Sequence, residues 1–284
     1  MEDVIKKAGV LIEAIPYIHS FRQKLFVIKY GGSILDNDAM RKNVLLDIVF
    51  LSYVGIRTIL VHGGGPHISN RVKDAGLKSE FFEGIRITDQ STLDIVKEEL
   101  EKLNQKIVHE IEAVKGLVVG LKGQENIVRV NKKTAAKDLG LVGTIHSINQ
   151  ELLDGHLKKG HIIVLSPMGV NDNGDIYNVN ADEVAFGIAG QMHAEKLVLL
   201  TNVQGVMRNA EDPESLISTL TIDEIDNLIK MNVIHGGMIP KVTACINALT
   251  RGVKKTHIID ARIQHALLLE FFTNHGVGTQ ILKG

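Results

Sequence analysis

The chain has 284 residues, 44% of them apolar, enough to bury a large core at the upper end of what one α/β unit spans. With 32 basic against 33 acidic residues the formal net charge is -1, which excludes a global field for nucleic acid or anionic lipid; a bound anion must be held by local groups. The single cysteine, Cys245, excludes an internal disulfide, and its place in an apolar helical pattern marks it as buried and inert.

The first residues, MEDVIKKAGVLIEAIP, scatter acids and lysines and lack the continuous apolar segment of a signal peptide. Apolar runs elsewhere are strand-length, short of the roughly 20 residues that a membrane span requires, so the expected setting is cytoplasmic. Val4, Ile5, Ala8, Leu11, Ile12 and Ile15 form one apolar stripe on a helix outside the first core strand, and Pro16 is expected to kink or end it. Such a stripe suits equally a helix packed on its own core and one that pairs subunits.

Buried strands are predicted at Leu25–Tyr30, Arg57–His62, Leu117–Leu121, His161–Ser166, Lys196–Thr201 and Lys255–Asp260. Helical periodicity lies between them, at Asn37–Val54, Ser91–Val114, Ala181–Ala194, Ile222–Met231 and Met238–Arg251. That alternation predicts a mainly parallel sheet covered by helices on both faces. Thr88 and Asp89 stand where the Ser91 helix would be capped, and Pro66 suits a first helical turn. Asn171–Asp175, reading NDNGD, predicts a tight turn between short strands, since Asn-Gly accepts positive φ. No linker or repeat marks a boundary, which topology alone places near Asn180.

The first strand carries Lys29 inside an apolar run and ends in Gly31, Gly32 and Ser33. An ammonium buried without a counter-charge is costly, so Lys29 either points out at the strand end or faces an anion. The second strand ends in Gly63, Gly64 and Gly65 before a helix start, where free N–H groups and the helix dipole together favour phosphate. Two such loops after two parallel strands place two anion sites on one sheet edge. Neither a P-loop nor a dinucleotide fingerprint is present, and zinc-protease and nucleophile-elbow motifs are missing as well.

Arg86, in EGIRITD, has the fork that grips a carboxylate, although spacing alone does not separate it from a surface arginine. YNVNADEVA places Asn178, Asn180 and Asp182 around a helix start, where Asn180 or Asp182 would serve as an ordinary cap. KLVLLTNVQGV is a strand leaving into a turn of nucleotide-loop type, and Lys241 in GGMIPKV sits unfavourably at a helix start unless an anion is close.

In this order and spacing VIKYGGS, VHGGGP, GIRITD, YNVNADEVA, LLTNVQGV and GGMIPKV resemble the amino-acid kinase superfamily, and within it the acetylglutamate kinase family. The resemblance runs from about residue 10 to the C-terminal GVGTQIL. It implies a three-layer αβα sandwich with a central, mainly parallel eight-stranded sheet. Residues 21–180 would form an amino-acid lobe, 181–284 an ATP lobe, and 1–20 an oligomerisation helix. The implied reaction is transfer of the γ-phosphoryl group of ATP to the γ-carboxylate of N-acetyl-L-glutamate in arginine biosynthesis, with Mg²⁺ held mainly through the phosphates.

Carried over by motif, Lys29 and Lys241 would neutralise the transferring phosphoryl group and Asp182 would hold both lysines. Gly31, Gly32, Gly64 and Gly65 would offer N–H groups to phosphates and attacking carboxylate. Arg86 and Asn178 would fix the substrate's α-carboxylate and acylated nitrogen, while Thr201, Asn202 and Gly205 would contact the nucleotide. No metal ligand is implied. Asn202 departs from the family's usual Asp, and LKGQENIVRV departs from its Ser-Gly-Lys-Asp pattern.

LIEAIPYIHSFRQK resembles the N-terminal segment of arginine-inhibited members, which implies a hexamer built as a trimer of dimers. L-arginine would bind near Tyr17, Lys196 and Glu270, and a nitrogen-sensor protein is a further implied partner. Related aspartate, glutamate, aminoadipate or carbamate kinases, and a non-catalytic nucleotide sensor of the same fold, remain open alternatives here.

Overall fold

A computed structural model of the chain describes residues 2–31, 37–209, 211–274 and 276–284, with backbone only for residues 2–8, 10 and 213. The chain begins with α1 (Glu2–Phe21), β1 (Leu25–Tyr30), α2 (Asp38–Tyr53), β2 (Arg57–His62) and α3 (Gly65–Asp74). Next come the hairpin β3 (Phe81–Phe82) and β4 (Ile85–Arg86), the long helix α4 (Gln90–Ala113), and β5 (Val118–Lys122). Then follow β6 (Val128–Lys132), β7 (Gly143–Ile148), α5 (Gln150–Lys158), β8 (Ile162–Ser166), β9 (Met168–Val170) and β10 (Ile176–Asn178). The last part holds α6 (Ala181–Gln191), β11 (Lys196–Thr201), β12 (Thr219–Thr221), α7 (Ile222–Lys230) and α8 (Met238–Thr250). It closes with β13 (Lys255–Asp260), α9 (Ala266–Phe272) and β14 (Thr279–Leu282).

The main sheet has eight strands in the order β12-β14-β13-β11-β1-β2-β8-β5. Every neighbouring pair runs parallel except β13 with β14. Strand alternation sends Val27, Val61, Leu165 and Leu199 to the face covered by α5, α6 and α8. Phe26, Leu60, Val164 and Val198 go to the opposite face, under α2, α4 and α9. Burial on both faces is why these strands read as apolar runs without polar alternation. By the same alternation Lys29 follows Val27 onto the α6 side.

A second, four-stranded sheet, β10-β9-β6-β7, stands beside the main one. Its β9–β10 hairpin turns through Asn171–Asp175 as expected: the Asn171 side chain accepts from the Asn173 and Asp175 amides, and Gly174 takes φ +90°. Asp89 caps α4 by accepting from Thr92 N, and Pro66 lies in the first turn of α3. Cys245 is buried in α8.

At the N-terminal helix one of the two outcomes expected of Pro16 is excluded. Pro16 does not end it, and α1 continues to Phe21 because the turn after the proline is anchored. Phe21 meets Phe26, Phe271 and Phe272 edge to face, and Tyr17 Oη donates to Asn274 Oδ1 at 2.6 Å. Ala14, Tyr17, Ile18 and Phe21 form the packed face, whereas Leu11, Ile12 and Ile15 are 69%, 65% and 52% exposed. The side chains of Val4, Ile5 and Ala8 lie outside the described residues.

Leu60, fully buried at the centre of the sheet, tests the core. Leu60→Ala should lower the unfolding free energy by about 2–5 kcal/mol in chemical denaturation. Met231→Ala, at a side chain 72% exposed, should change it by less than about 0.5 kcal/mol.

Candidate active site

A cavity of about 250 Å³ opens where β1 and β2 end, lined among others by Lys29, Gly64, Arg86, Asn178 and Asp182. Lys29 Nζ lies 3.0 Å from Asp182 Oδ1. Asp182 occupies the first turn of α6, but the cap of that helix is Asn180, whose Oδ1 accepts from Asp182 N at 2.8 Å and Glu183 N at 3.4 Å. The capping duty thus falls to Asn180, and the Asp182 carboxylate is left to meet the lysine. Glu183 anchors the same turn to the small sheet, accepting from Lys133 Nζ at 2.9 Å, Thr144 Oγ1 and Ile145 N.

Lys241 enters from α8, its Nζ donating to Gly237 O at 2.9 Å. Burial lowers its pKa; Asp182 opposes that shift and Lys29 adds to it, so the three charges share one neighbourhood. Among the described residues Asp182 makes an ion pair with Lys29 only. Lys241 is held by the carbonyl at the mouth of its own helix and feels the carboxylate through its field.

The two glycine loops are tied together by Gly63 N, which donates to Tyr30 O at 2.7 Å. A Cβ on Gly63 would stand 3.4 Å from Gly31 Cα, and one on Gly31 would stand 3.3 Å from Lys29 Nζ. A side chain on Gly31 would press on the lysine head, and one on Gly63 would fill the space left between the two loops. Gly64 caps α3 and Gly65 begins it, so the positive end of that helix borders the cavity. Gly32 lies outside the described residues.

Arg86 ends the small β3–β4 hairpin and is 7% exposed. Its guanidinium rests 4.7 Å from the Phe81 ring centroid and donates to Ser79 Oγ, Ser69 Oγ and Gly65 O at 2.7, 2.7 and 3.2 Å. Burial lowers its pKa, and among the described residues no carboxylate pairs with it. A buried cation with only neutral partners is poised for an anion entering the cavity. Asn178, at the end of β10, donates from Nδ2 to Thr88 Oγ1 at 3.1 Å on the same wall.

Thr201, Asn202 and Gly205 are one strand over. Thr201 ends β11, next to β1, and its Oγ1 donates to Val203 O at 3.0 Å, folding the loop back on the sheet edge. Val206 N donates to Thr279 Oγ1 at 2.8 Å behind Gly205, while Asn202 is exposed. Among the described residues no three His, Cys, Asp or Glu side chains converge, and the Asp182 carboxylate is taken by Lys29. This donor set does not make a carboxylate cage for a divalent ion; it would fit Mg²⁺ that arrives on phosphate oxygens.

Tyr17, Lys196 and Glu270 also come together, around a separate cavity of about 390 Å³ between α1, α9 and the opposite edge of the sheet. Lys196 is buried with Nζ 3.1 Å from His257 Nε2 and 5.1 Å from the ring centroids of Phe21 and Phe271. Burial pulls its pKa down to about 8. Burial likewise holds His257 neutral, at about 4, so Nε2 accepts from Lys196 and Nδ1–H donates to Glu270 Oε1 at 2.7 Å. Glu270 Oε2 accepts from Val277 N and Gly278 N.

Sequence reasoning did not single out Ser69 and Ser79, the neutral partners of Arg86, nor His62 and Asn104 beneath the second glycine loop. The serines carry no local signal, since their role arises only when α3 and the hairpin meet. His62 did carry one: a polar ring closing an apolar strand.

Residues 24–260 match the model of the amino acid kinase family. A protein of Desulforamulus reducens named acetylglutamate kinase is 43% identical over 98% of both chains, and one of Methanococcus vannielii with the same name is 45% identical over 99% of both. Among solved structures, N-acetylglutamate synthase from Neisseria gonorrhoeae complexed with coenzyme A and L-arginine superposes with TM-score 0.84 at 25% identity. That match covers 98% of this chain and 65% of that longer protein. Carbamate kinase from Giardia lamblia bound to AMP-PNP gives TM-score 0.67 at 18% identity, over 92% and 99% of the two chains, and shows the shared fold. With the family model spanning most of its length and relatives above 40% identity end to end, the chain belongs to the amino acid kinase family.

Proposed function

We propose that this chain is an acetylglutamate kinase, transferring the γ-phosphoryl group of ATP to the γ-carboxylate of N-acetyl-L-glutamate in arginine biosynthesis. The observation that carries the reading is Arg86: a buried guanidinium without a carboxylate partner among the described residues, on the same cavity wall as the Lys29–Asp182 pair and the glycine loops. Relatives named for this activity match the chain from end to end. Residues 21–180 serve as the amino-acid lobe and 181–284 as the ATP lobe, and the cytoplasm is the setting. No helix among the described residues is long and apolar enough to cross a membrane.

The nucleophile is already a carboxylate, so no general base is needed. The main barrier is repulsion between two anions, and the protein's share of the work is positioning and positive charge. Arg86 grips the α-carboxylate and Asn178 faces the acylated nitrogen. Gly64 and Gly65 offer N–H groups to the attacking carboxylate, and Gly31 and Gly32 to the phosphates. Lys29 and Lys241 flank the charge that spreads over the transferring group, with Asp182 fixing Lys29 directly. Thr201, Asn202 and Gly205 hold the nucleotide on the neighbouring strand. Mg²⁺, when bound through the phosphates, supplies further charge neutralisation.

The second cavity supports regulation by L-arginine. Glu270 offers a carboxylate to a guanidinium, and Tyr17 brings α1 to the same opening. The exposed Leu11, Ile12 and Ile15 support pairing of this helix between dimers in a hexamer. A nitrogen-sensor protein as a further partner rests on the family resemblance alone.

Lys29→Met and Lys241→Met should each lower kcat for acyl-phosphate formation from MgATP and N-acetyl-L-glutamate by about 10²- to 10³-fold, read as hydroxamate. Unchanged turnover in either variant rejects the reading. Arg86→Ala should act chiefly on KM for the amino acid, with KM for ATP little changed. Deleting residues 1–20 should leave active dimers that arginine no longer inhibits; sedimentation together with an arginine titration of the activity checks both halves.

A further inference from the structure

β2 ends on His62, whose imidazole is fully buried, a position where Leu60 two residues earlier is simply apolar. A buried ring with polar nitrogens is tolerable only if both find partners. They do. Nδ1 lies 3.1 Å from Gly63 O, and Nε2 lies 3.3 Å from Asn104 Nδ2.

Asn104 decides which nitrogen carries the proton. It projects from α4, and its Nδ2 also faces two carbonyls of the sheet, Val164 O at 3.0 Å and Leu121 O at 3.3 Å. The atom facing two carbonyls is the NH₂ nitrogen; its two protons are shared among three neighbours, and an N–H on Nε2 would set donor against donor, so Nε2 presents its lone pair. The remaining proton sits on Nδ1 and is donated to Gly63 O. A neutral ring is required, since a charged one would point a second N–H at the Asn104 amide. Burial favours that state, lowering the His62 pKa to about 4.

The Gly63–Gly64 peptide is planar and trans, so its C=O and N–H point in opposite directions. With Gly63 O held by His62, the Gly64 N–H turns away from the ring. Among the described residues this buried N–H meets no acceptor. Gly64 lines the cavity, and a Cβ there would stand 2.9 Å from Leu100 Cδ2 on the same helix that carries Asn104. Helix α4 therefore both shapes the loop and sets its hydrogen bonding.

We infer that His62, locked in its Nδ1–H tautomer by Asn104, is a positioning residue that turns the Gly64 N–H toward the attacking carboxylate. This rests on the reading of the cavity as the site of carboxylate phosphorylation. His62 touches neither substrate; it acts through one peptide group. The loss on removing it should therefore appear in the chemical step.

His62→Leu should lower kcat about 10²-fold while both KM values change little. His62→Gln, able to donate to Gly63 O and accept from Asn104, should recover most of that loss, and Asn104→Leu should lower kcat in the same direction. Wild-type kcat per folded molecule in His62→Leu overturns the inference, as does failure of glutamine to recover the rate. A long-range ¹H–¹⁵N spectrum of the wild-type chain should show His62 protonated at Nδ1 and bare at Nε2. The opposite tautomer refutes the lock without any substrate being present. If the wild-type enzyme fails to phosphorylate N-acetyl-L-glutamate, the kinase reading falls, and the tautomer still decides whether His62 holds the peptide.

Discussion

An ammonium on a strand whose other side chains are all shielded from water must meet a negative charge, and much of the molecule follows from that constraint. Lys29 finds Asp182 across the β1–α6 contact, which requires α6 to begin beside the end of β1. Asn180 takes over the helix cap, and Glu183 anchors the turn through Lys133, Thr144 and Ile145. The small sheet thereby acquires a purpose: its strands hold the turn that holds the acid that holds the lysine. With Lys29 and Arg86 set against the Asp182 carboxylate, the described lining of the cavity keeps a surplus of positive charge, which suits a reaction that brings anions together.

Fold and site differed in how far they could be read from residues alone. The central strands were legible because both faces are covered, so Leu25–Tyr30 and Lys196–Thr201 appear as apolar runs with a single lysine each. The four-stranded sheet was mostly hidden: β6 reads Val-Arg-Val-Asn-Lys and β9 has three residues, too short or too polar to stand out beyond the Asn171–Asp175 turn. At Pro16 local backbone chemistry left a kink and a helix end both open, and only the packing of Phe21 and the tether of Tyr17 show that the helix continues.

At the site, Lys29 and the glycines were visible because each violates the pattern around it. Arg86 was named through its motif, but spacing did not separate it from a surface arginine, since its burial and its neutral serine partners arise from three segments meeting in space. The separation of capping and pairing duties between Asn180 and Asp182 was likewise beyond any spacing argument. Lys196 shows the same limit: it reads as the polar start of a strand, and only the fold reveals aromatic rings around it and His257 beneath.

The eight strands form one uninterrupted ladder, and β11 runs through it from Lys196 at one margin to Thr201 at the other. At about 3.3 Å per residue the two ends are separated by roughly 17 Å of backbone bonded to β1 and β13 along its length. A segment so constrained has no local joint at which to swing. Force applied at its far margin would spread as elastic strain through the neighbouring strands, a change of twist in a stiff plate.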